Sequence, residues 1–216
     1  MRIGFIGSGH IGATLAKLFA SVGHEVIVSN SRGPETLTEL VKEITEQGGR
    51  ARAATAEEAA REGEVVVVSI PFGRYLEVPA TPLIGKVVID TNNYYPQRDG
   101  HWPQLDAGET TSSEMLAEHL PGARVVKAFN SIYWEHLRDE GRPTGDPDRW
   151  ALPIAGDEEG AKETVGMLLD EIGFDAVDAG PLANGRLFQP GTPPYGARLD
   201  QAALRRLLQA EEASAE

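Results

Sequence analysis

The chain has 216 residues, enough for one sizeable core or for one main domain with a small appendage. A formal net charge of -13 argues against nucleic acid or an anionic membrane surface as a partner, and the absence of cysteine excludes disulfides, thiolate chemistry and cysteine-bound zinc. No apolar run approaches the roughly 20 residues needed to span a bilayer, and the glycine-interrupted start reads as a strand instead of a signal peptide, so the expected location is the cytoplasm.

The first stretch with chemical content is Arg2 to Gly12: a short apolar strand, a glycine turn and the opening of a helix. Gly7, Gly9 and Gly12 form G-x-G-x-x-G between strand and helix, the setting that gives this motif meaning. Gly7 serves the tight turn, Gly9 lets the backbone approach a pyrophosphate, and Gly12 allows close packing of helix on strand. The helix N-terminus adds unpaired N–H groups and partial positive charge. Ile11, Leu15, Leu18, Phe19 and Val22 then recur at helical spacing, with Gly23 placed to cap the helix. A second strand, Glu25 to Ser29, closes a β-α-β unit of about 30 residues.

The residues after that strand address the nucleotide. An NAD site calls for Asp or Glu here, to bind the ribose hydroxyls. This chain has Ser29-Asn30-Ser31-Arg32-Gly33 instead. Two hydroxyls and an arginine suit a 2′-phosphate, and the spacing predicts NADP. The plainer reading of Arg32 is a solvated loop arginine.

A helix from Pro34 is stopped by Gly48-Gly49, and a weak strand spans Arg50 to Thr55. A short helix covers Ala56 to Arg61. The apolar run Glu64 to Ile70 predicts a central parallel strand covered on both faces, ending in Pro71-Phe72. Pro79 and Pro82 keep any helix in the next crossover short. A fifth strand, Lys86 to Asp90, precedes a long segment from Asn92 to Gly108 with little periodicity, and its Tyr94, Tyr95 and Trp102 either wall a substrate site or pack the loop down. A helix at Thr111 to Leu120 leads to a sixth strand, Arg124 to Asn130. Asn130 either bonds a carboxamide or caps the next helix, Ile132 to Leu137.

The polar segment Asp139 to Trp150 reads as a linker. Beyond it come strand Ala151 to Ala155, helix Glu158 to Ile172, strand Phe174 to Asp178, an irregular region Asn184 to Gly196, and a short helix holding Leu204, Leu207 and Leu208. The tail Glu211 to Glu216 is expected to fray. Alternating strands and helices indicate an α/β, Rossmann-type doubly wound, mostly parallel sheet with a small C-terminal α/β extension. The expected division is a nucleotide-binding domain over residues 1–150 and a smaller part, 151–216, that completes the cleft. Ligands of such sheets lie outside the strands' carboxyl ends, here Gly7 to Gly12, Ile70-Pro71-Phe72, Thr91-Asn92 and Ala128-Phe129-Asn130.

His10, His24, His101, His119 and His136 lack metal-ligand spacing, no G-x-S-x-G elbow exists, and no metal site or catalytic acid or base is assigned. Direct hydride transfer requires alignment above all.

Gly7-Ser8-Gly9-His10-Ile11-Gly12, the stretch Ser29 to Leu37, Ser69-Ile70-Pro71, Lys127-Ala128-Phe129-Asn130 and Asp178-Ala179-Gly180-Pro181-Leu182 together resemble the NADPH-dependent deazaflavin (coenzyme F420) reductase family, in the family's order and through nearly the whole chain. The resemblance implies reversible hydride transfer between NADP and a deazaflavin bound over the nicotinamide, and a homodimer. It implies that Ser8, Gly9, His10, Ile11, Ser31 and Arg32 hold NADP, with Ile70, Pro71 and Ala128 near the nicotinamide. After Arg186-Leu187 the chain departs from the family's apolar helix with Phe188-Gln189-Pro190-Gly191-Thr192-Pro193-Pro194. Broader relatives reduce flavins with the same module. Two alternatives stand beside a deazaflavin or flavin acceptor: an NADPH-dependent reductase of a small imine or ketone, and an NADPH-binding sensor without turnover.

Overall fold

The computed structural model describes residues 1–215. In chain order it runs β1 (Arg2–Ile6), α1 (His10–Ser21), β2 (Glu25–Ser29), a 3₁₀ turn at Pro34–Leu37, α2 (Thr38–Glu46), β3 (Arg50–Ala53), α3 (Ala56–Glu62) and β4 (Val65–Val68). Two 3₁₀ turns at Phe72–Glu77 and Thr81–Leu83 form the proline-interrupted crossover to β5 (Val87–Asp90). Then follow α4 (Pro96–Asp99), α5 (Pro103–Asp106), α6 (Ser112–His119), β6 (Arg124–Lys127), α7 (Trp134–Asp139), β7 (Ala151–Gly156), α8 (Glu159–Glu171), β8 (Asp175–Asp178), a 3₁₀ stretch at Leu182–Phe188 and α9 (Gln201–Ala215). No described helix is long and apolar enough to cross a membrane.

The strands form one eight-stranded sheet in the order β3-β2-β1-β4-β5-β6-β7-β8. The first six are parallel, β7 meets β6 antiparallel through Val126 with Gly156 and Lys127 with Ala155, and β8 is parallel to β7. The run of four valines in β4 shows why its sequence lacks alternation. Val65 and Val67 face the core under α1, α2 and α8, while Val66 and Val68 face the one with Leu116 of α6. Leu15 and Phe19 of α1 and Leu168 and Leu169 of α8 share the first core, each fully buried side chain contributing about 1.5–3 kcal/mol of transfer free energy. Gly4 belongs to close packing: a Cβ there would lie 2.2 Å from the Ala59 carbonyl oxygen of α3.

Several expectations change in detail. The fourth and sixth strands stop at Val68 and Lys127, because the residues beyond leave the sheet to build the ligand-side loops. Val22 lies past the end of α1 and is 42% exposed, with Gly23 at φ 97 turning the chain. The stretch after Asn92 contains two single-turn helices, each opened by a proline, too short to register as periodicity. The Asp139 to Trp150 segment is strapped down: the buried Arg149 guanidinium lies 2.7 Å from Asp170 and 3.4 Å from Asp175 and donates to the Phe174 carbonyl. The helix holding Leu204 and Leu208 packs these leucines on Ala151, Ala155 and Val177, and continues through Ala215 where fraying was expected. Glu216 lies outside the described residues.

Candidate functional site

At the carboxyl ends of the parallel strands lie two cavities that share Ser69, Ile70 and Pro71 as a common ridge. The first, about 280 Å³, runs from Gly7, Ser8 and Gly9 after β1 to Ser31 and Arg32 after β2. The second, about 350 Å³, begins at His10 and Ile11 and extends past Asn92 and Asn130 to Tyr95, Tyr133, Trp134 and Tyr195.

The glycines divide their labour as their environments require. Gly7 has φ 104, and a Cβ would meet the Ser69 carbonyl oxygen at 2.0 Å. At Gly12 a Cβ would lie 2.3 Å from the Gly7 carbonyl oxygen, so this glycine serves packing and is buried away from both cavities. Around a Cβ at Gly9 nothing lies within 4 Å. Gly9 is also the N-cap of α1 and supplies no side-chain hydrogen bond, which leaves the helix's first N–H groups directed at open space. An uncapped N-terminus beside space that only a missing side chain keeps open fits a pyrophosphate.

The loop after β2 is shaped by Asn30. Its Oδ1 accepts from the Arg32 amide at 2.8 Å and its Nδ2 donates to Thr36 Oγ1 at 2.9 Å. This Asx turn presents Ser31 and Arg32, both exposed, and Arg32 has no ion-pair partner among the described residues. Ser29 is not available as a second hydroxyl: fully buried, it donates to the Phe5 carbonyl at 2.6 Å. The opposite wall carries Arg74, which the sequence reading passed over because it sits in a proline-rich crossover. Its Nε donates to Glu77 Oε1 at 2.8 Å and its Nη2 to Oε2 at 2.5 Å, which holds the guanidinium above its ordinary range. Arg32 and the end of α1 give a chain of net charge -13 a local place for an anionic nucleotide, while the charge of Arg74 is balanced by Glu77 on the same wall.

The ridge is held from below. Ile70 N–H donates to Asn92 Oδ1 at 2.9 Å, and the Asn92 amide donates to Asp90 Oδ1 at 2.9 Å. Lys127 Nζ donates to the Asn92 carbonyl at 2.5 Å and lies 3.3 Å from Asp90 Oδ2, which also accepts from Ser113 Oγ at 2.6 Å. Both members of this ion pair are almost wholly buried. None of this network was legible beforehand, since Lys127 and Asp90 are 37 residues apart in sequence.

The second cavity revises three expectations. The Ala128 side chain reaches neither cavity: one residue past β6, its methyl is buried in the core, and Phe129, at φ 62, then redirects the chain so that Asn130 borders the cavity. Asn130 caps no helix, because α7 starts after Tyr133; its Nδ2 donates to Asn93 Oδ1 at 3.2 Å and to the Phe188 carbonyl at 3.1 Å. The loop aromatics divide. Tyr94 and Trp102 pack against Phe72, with ring centroids 5.9 Å away in both cases, whereas Tyr95 faces the cavity. His10 stacks on Trp134 at 5.0 Å, and the Arg138 guanidinium covers Trp134 at 5.1 Å. Tyr133, Trp134 and Tyr195 were not singled out in the sequence, although two adjacent aromatics just past Asn130 were a signal.

The family model described as "NADP oxidoreductase coenzyme F420-dependent" matches residues 2–94. The F420-dependent NADP reductase of Methanothermobacter marburgensis is 31% identical over 205 residues, which cover 89% of this chain and 90% of that protein. The chain belongs to the F420-dependent NADP reductase family. A hypothetical protein of Sinorhizobium meliloti superposes with a TM-score of 0.77 at 28% identity, over 92% of this chain and 94% of that one. The Streptomyces aurantiacus imine reductase, at 18% identity and a TM-score of 0.57, shares the fold, and 56% of its own length is covered.

Proposed function

We propose that this protein transfers a hydride between NADP(H) and a deazaflavin, coenzyme F420. The observation that carries the reading is the pair of cavities joined at the Ile70–Pro71 ridge. One is built for an anionic dinucleotide, and the other is bordered by Tyr95, Tyr133, Trp134 and Tyr195, as a planar aromatic acceptor requires. Gly7, Ser8 and Gly9 would hold the pyrophosphate with the first N–H groups of α1, and Ser31 and Arg32 the 2′-phosphate. His10, Ile11, Ile70, Pro71 and the backbone at Ala128 would bound the nicotinamide. NADPH, when bound, supplies the hydride. The protein's task is then to align two rings across the ridge and to keep water from between them, and no side chain need accept a proton for that step.

Residues 1–150 form the nucleotide-binding part in this reading, and 151–216 close the acceptor side through Tyr195. A cytoplasmic homodimer completes the proposal. An imine or ketone acceptor is less well supported, because the imine reductase shares only the fold at 18% identity, whereas the F420-dependent relative is 31% identical over 89% of the chain. The test is bleaching of oxidised deazaflavin by NADPH in the presence of the chain, with FMN, imines and ketones in parallel. NADPH-dependent bleaching of the deazaflavin is expected. Tight NADPH binding with no turnover of any acceptor would make the protein a sensor instead.

A further inference from the structure

Two phenols meet at the second cavity. Tyr95, the N-cap residue immediately before α4 (Pro96–Asp99), and Tyr195, on the C-terminal turn, have hydroxyl oxygens 2.8 Å apart, and both residues border the cavity. The backbone around Tyr195 is anchored: its amide donates to the Thr192 carbonyl at 3.1 Å, and that of Gly196 to the Ser131 carbonyl at 2.8 Å. Its ring meets Tyr133 edge-on at 6.3 Å. The Tyr95 ring is covered by the Arg98 guanidinium at 4.9 Å. A pair of hydroxyls contains two hydrogens and uses one between them. The hydroxyl that accepts keeps its own hydrogen for a third group.

Hydride transfer creates a need for such a group. The donor's C–H bond breaks and a C–H bond forms on the acceptor. Two electrons move with the hydrogen, so the donor ring becomes positive and negative charge spreads to the acceptor's heteroatoms until a solvent proton neutralises it. The Arg98 guanidinium that borders the cavity is bonded to Asp99 and to the Asn93 carbonyl. The phenol pair adds a hydroxyl donor to a wall that also carries the unpartnered Asn92 Nδ2. Resting on the hydride-transfer reading, we propose that the Tyr195 hydroxyl, oriented by Tyr95, donates a hydrogen bond to the negative charge that hydride arrival places on the acceptor ring. Burial holds the Tyr195 phenol above its ordinary range, so it keeps its proton through neutral pH, and with Tyr95 donating within the pair that proton is free for the acceptor. The C-terminal turn thereby contributes directly to catalysis.

The test compares the full chain with Y195F and with a fluorotyrosine at position 195, which keeps the ring and strengthens the donor. Y195F is expected to slow deazaflavin bleaching in a single turnover roughly ten- to hundredfold while the NADPH Kd and both KM values stay within about twofold. The fluorotyrosine protein should match or exceed the unsubstituted rate. An unimpaired Y195F, a loss confined to KM or to NADPH binding, or a fluorotyrosine protein as slow as Y195F would each overturn the proposal while leaving the functional reading intact. No bleaching by the unsubstituted chain would overturn both.

Discussion

Arg32 shows how little of a side chain's chemistry need be special for its position to matter. It is exposed, and no carboxylate among the described residues pairs with it. What singles it out is the Asx turn at Asn30, which aims it at the open end of the first cavity. A charge-assisted hydrogen bond from a guanidinium to a phosphate is worth about 1.5–3 kcal/mol, or roughly ten- to hundredfold in affinity. Arg32→Ala is therefore expected to weaken NADPH by that factor and leave NADH unchanged, as read by fluorescence titration with both nucleotides. Equal losses for the two would mean that Arg32 does not read the 2′-phosphate.

One scale up, the turn between β1 and α1 separates folding from binding within a single motif. At Gly7 a methyl collides with the Ser69 carbonyl and the backbone sits at φ 104, so any substitution there damages the fold. Gly9 has φ -70 and open space around a built Cβ. Gly9→Ala is expected to cost no more than about 1 kcal/mol of stability, the difference between Gly and Ala at an N-cap. The methyl nevertheless occupies the space reserved for a pyrophosphate, and NADPH affinity should fall roughly tenfold or more. Thermal denaturation alongside an NADPH titration separates the two effects. A variant that binds normally would show that the phosphates lie elsewhere.

At the scale of the whole molecule, both cavities exist because the sheet reverses its winding between β1 and β4, which parts the loops after them and leaves a crevice. The buried Lys127–Asp90 pair keeps the neighbouring loops in place by joining β5, β6, the start of α6 and the Asn92 turn. Lys127→Met would strand the Asp90 carboxylate in the core. A loss of about 3–5 kcal/mol in urea unfolding is expected, partly recovered when Asp90 is also replaced by an apolar residue. A loss no larger than a surface substitution gives would show that the network is not what supports the ridge.

By itself the sequence determined the Rossmann-type order of strands and helices, because glycines, valine runs and helical spacing are local signals. It also determined the glycine turn and the Ser31–Arg32 loop, since both lie within one β-α-β unit. The tertiary structure alone decided the rest of the site. Arg74 becomes a cavity wall only when the crossover folds back beside the β2 loop. Ala128, just past β6, is withdrawn into the core, and Asn130 is brought forward by the left-handed Phe129. Tyr95 and Tyr195, 100 residues apart, meet only because β7 and β8 extend the same sheet and return the C-terminal turn to its active edge. Contacts at that separation leave no periodicity in a chain, so the cavity at the glycine turn could be read in advance and the aromatic-bordered cavity could not.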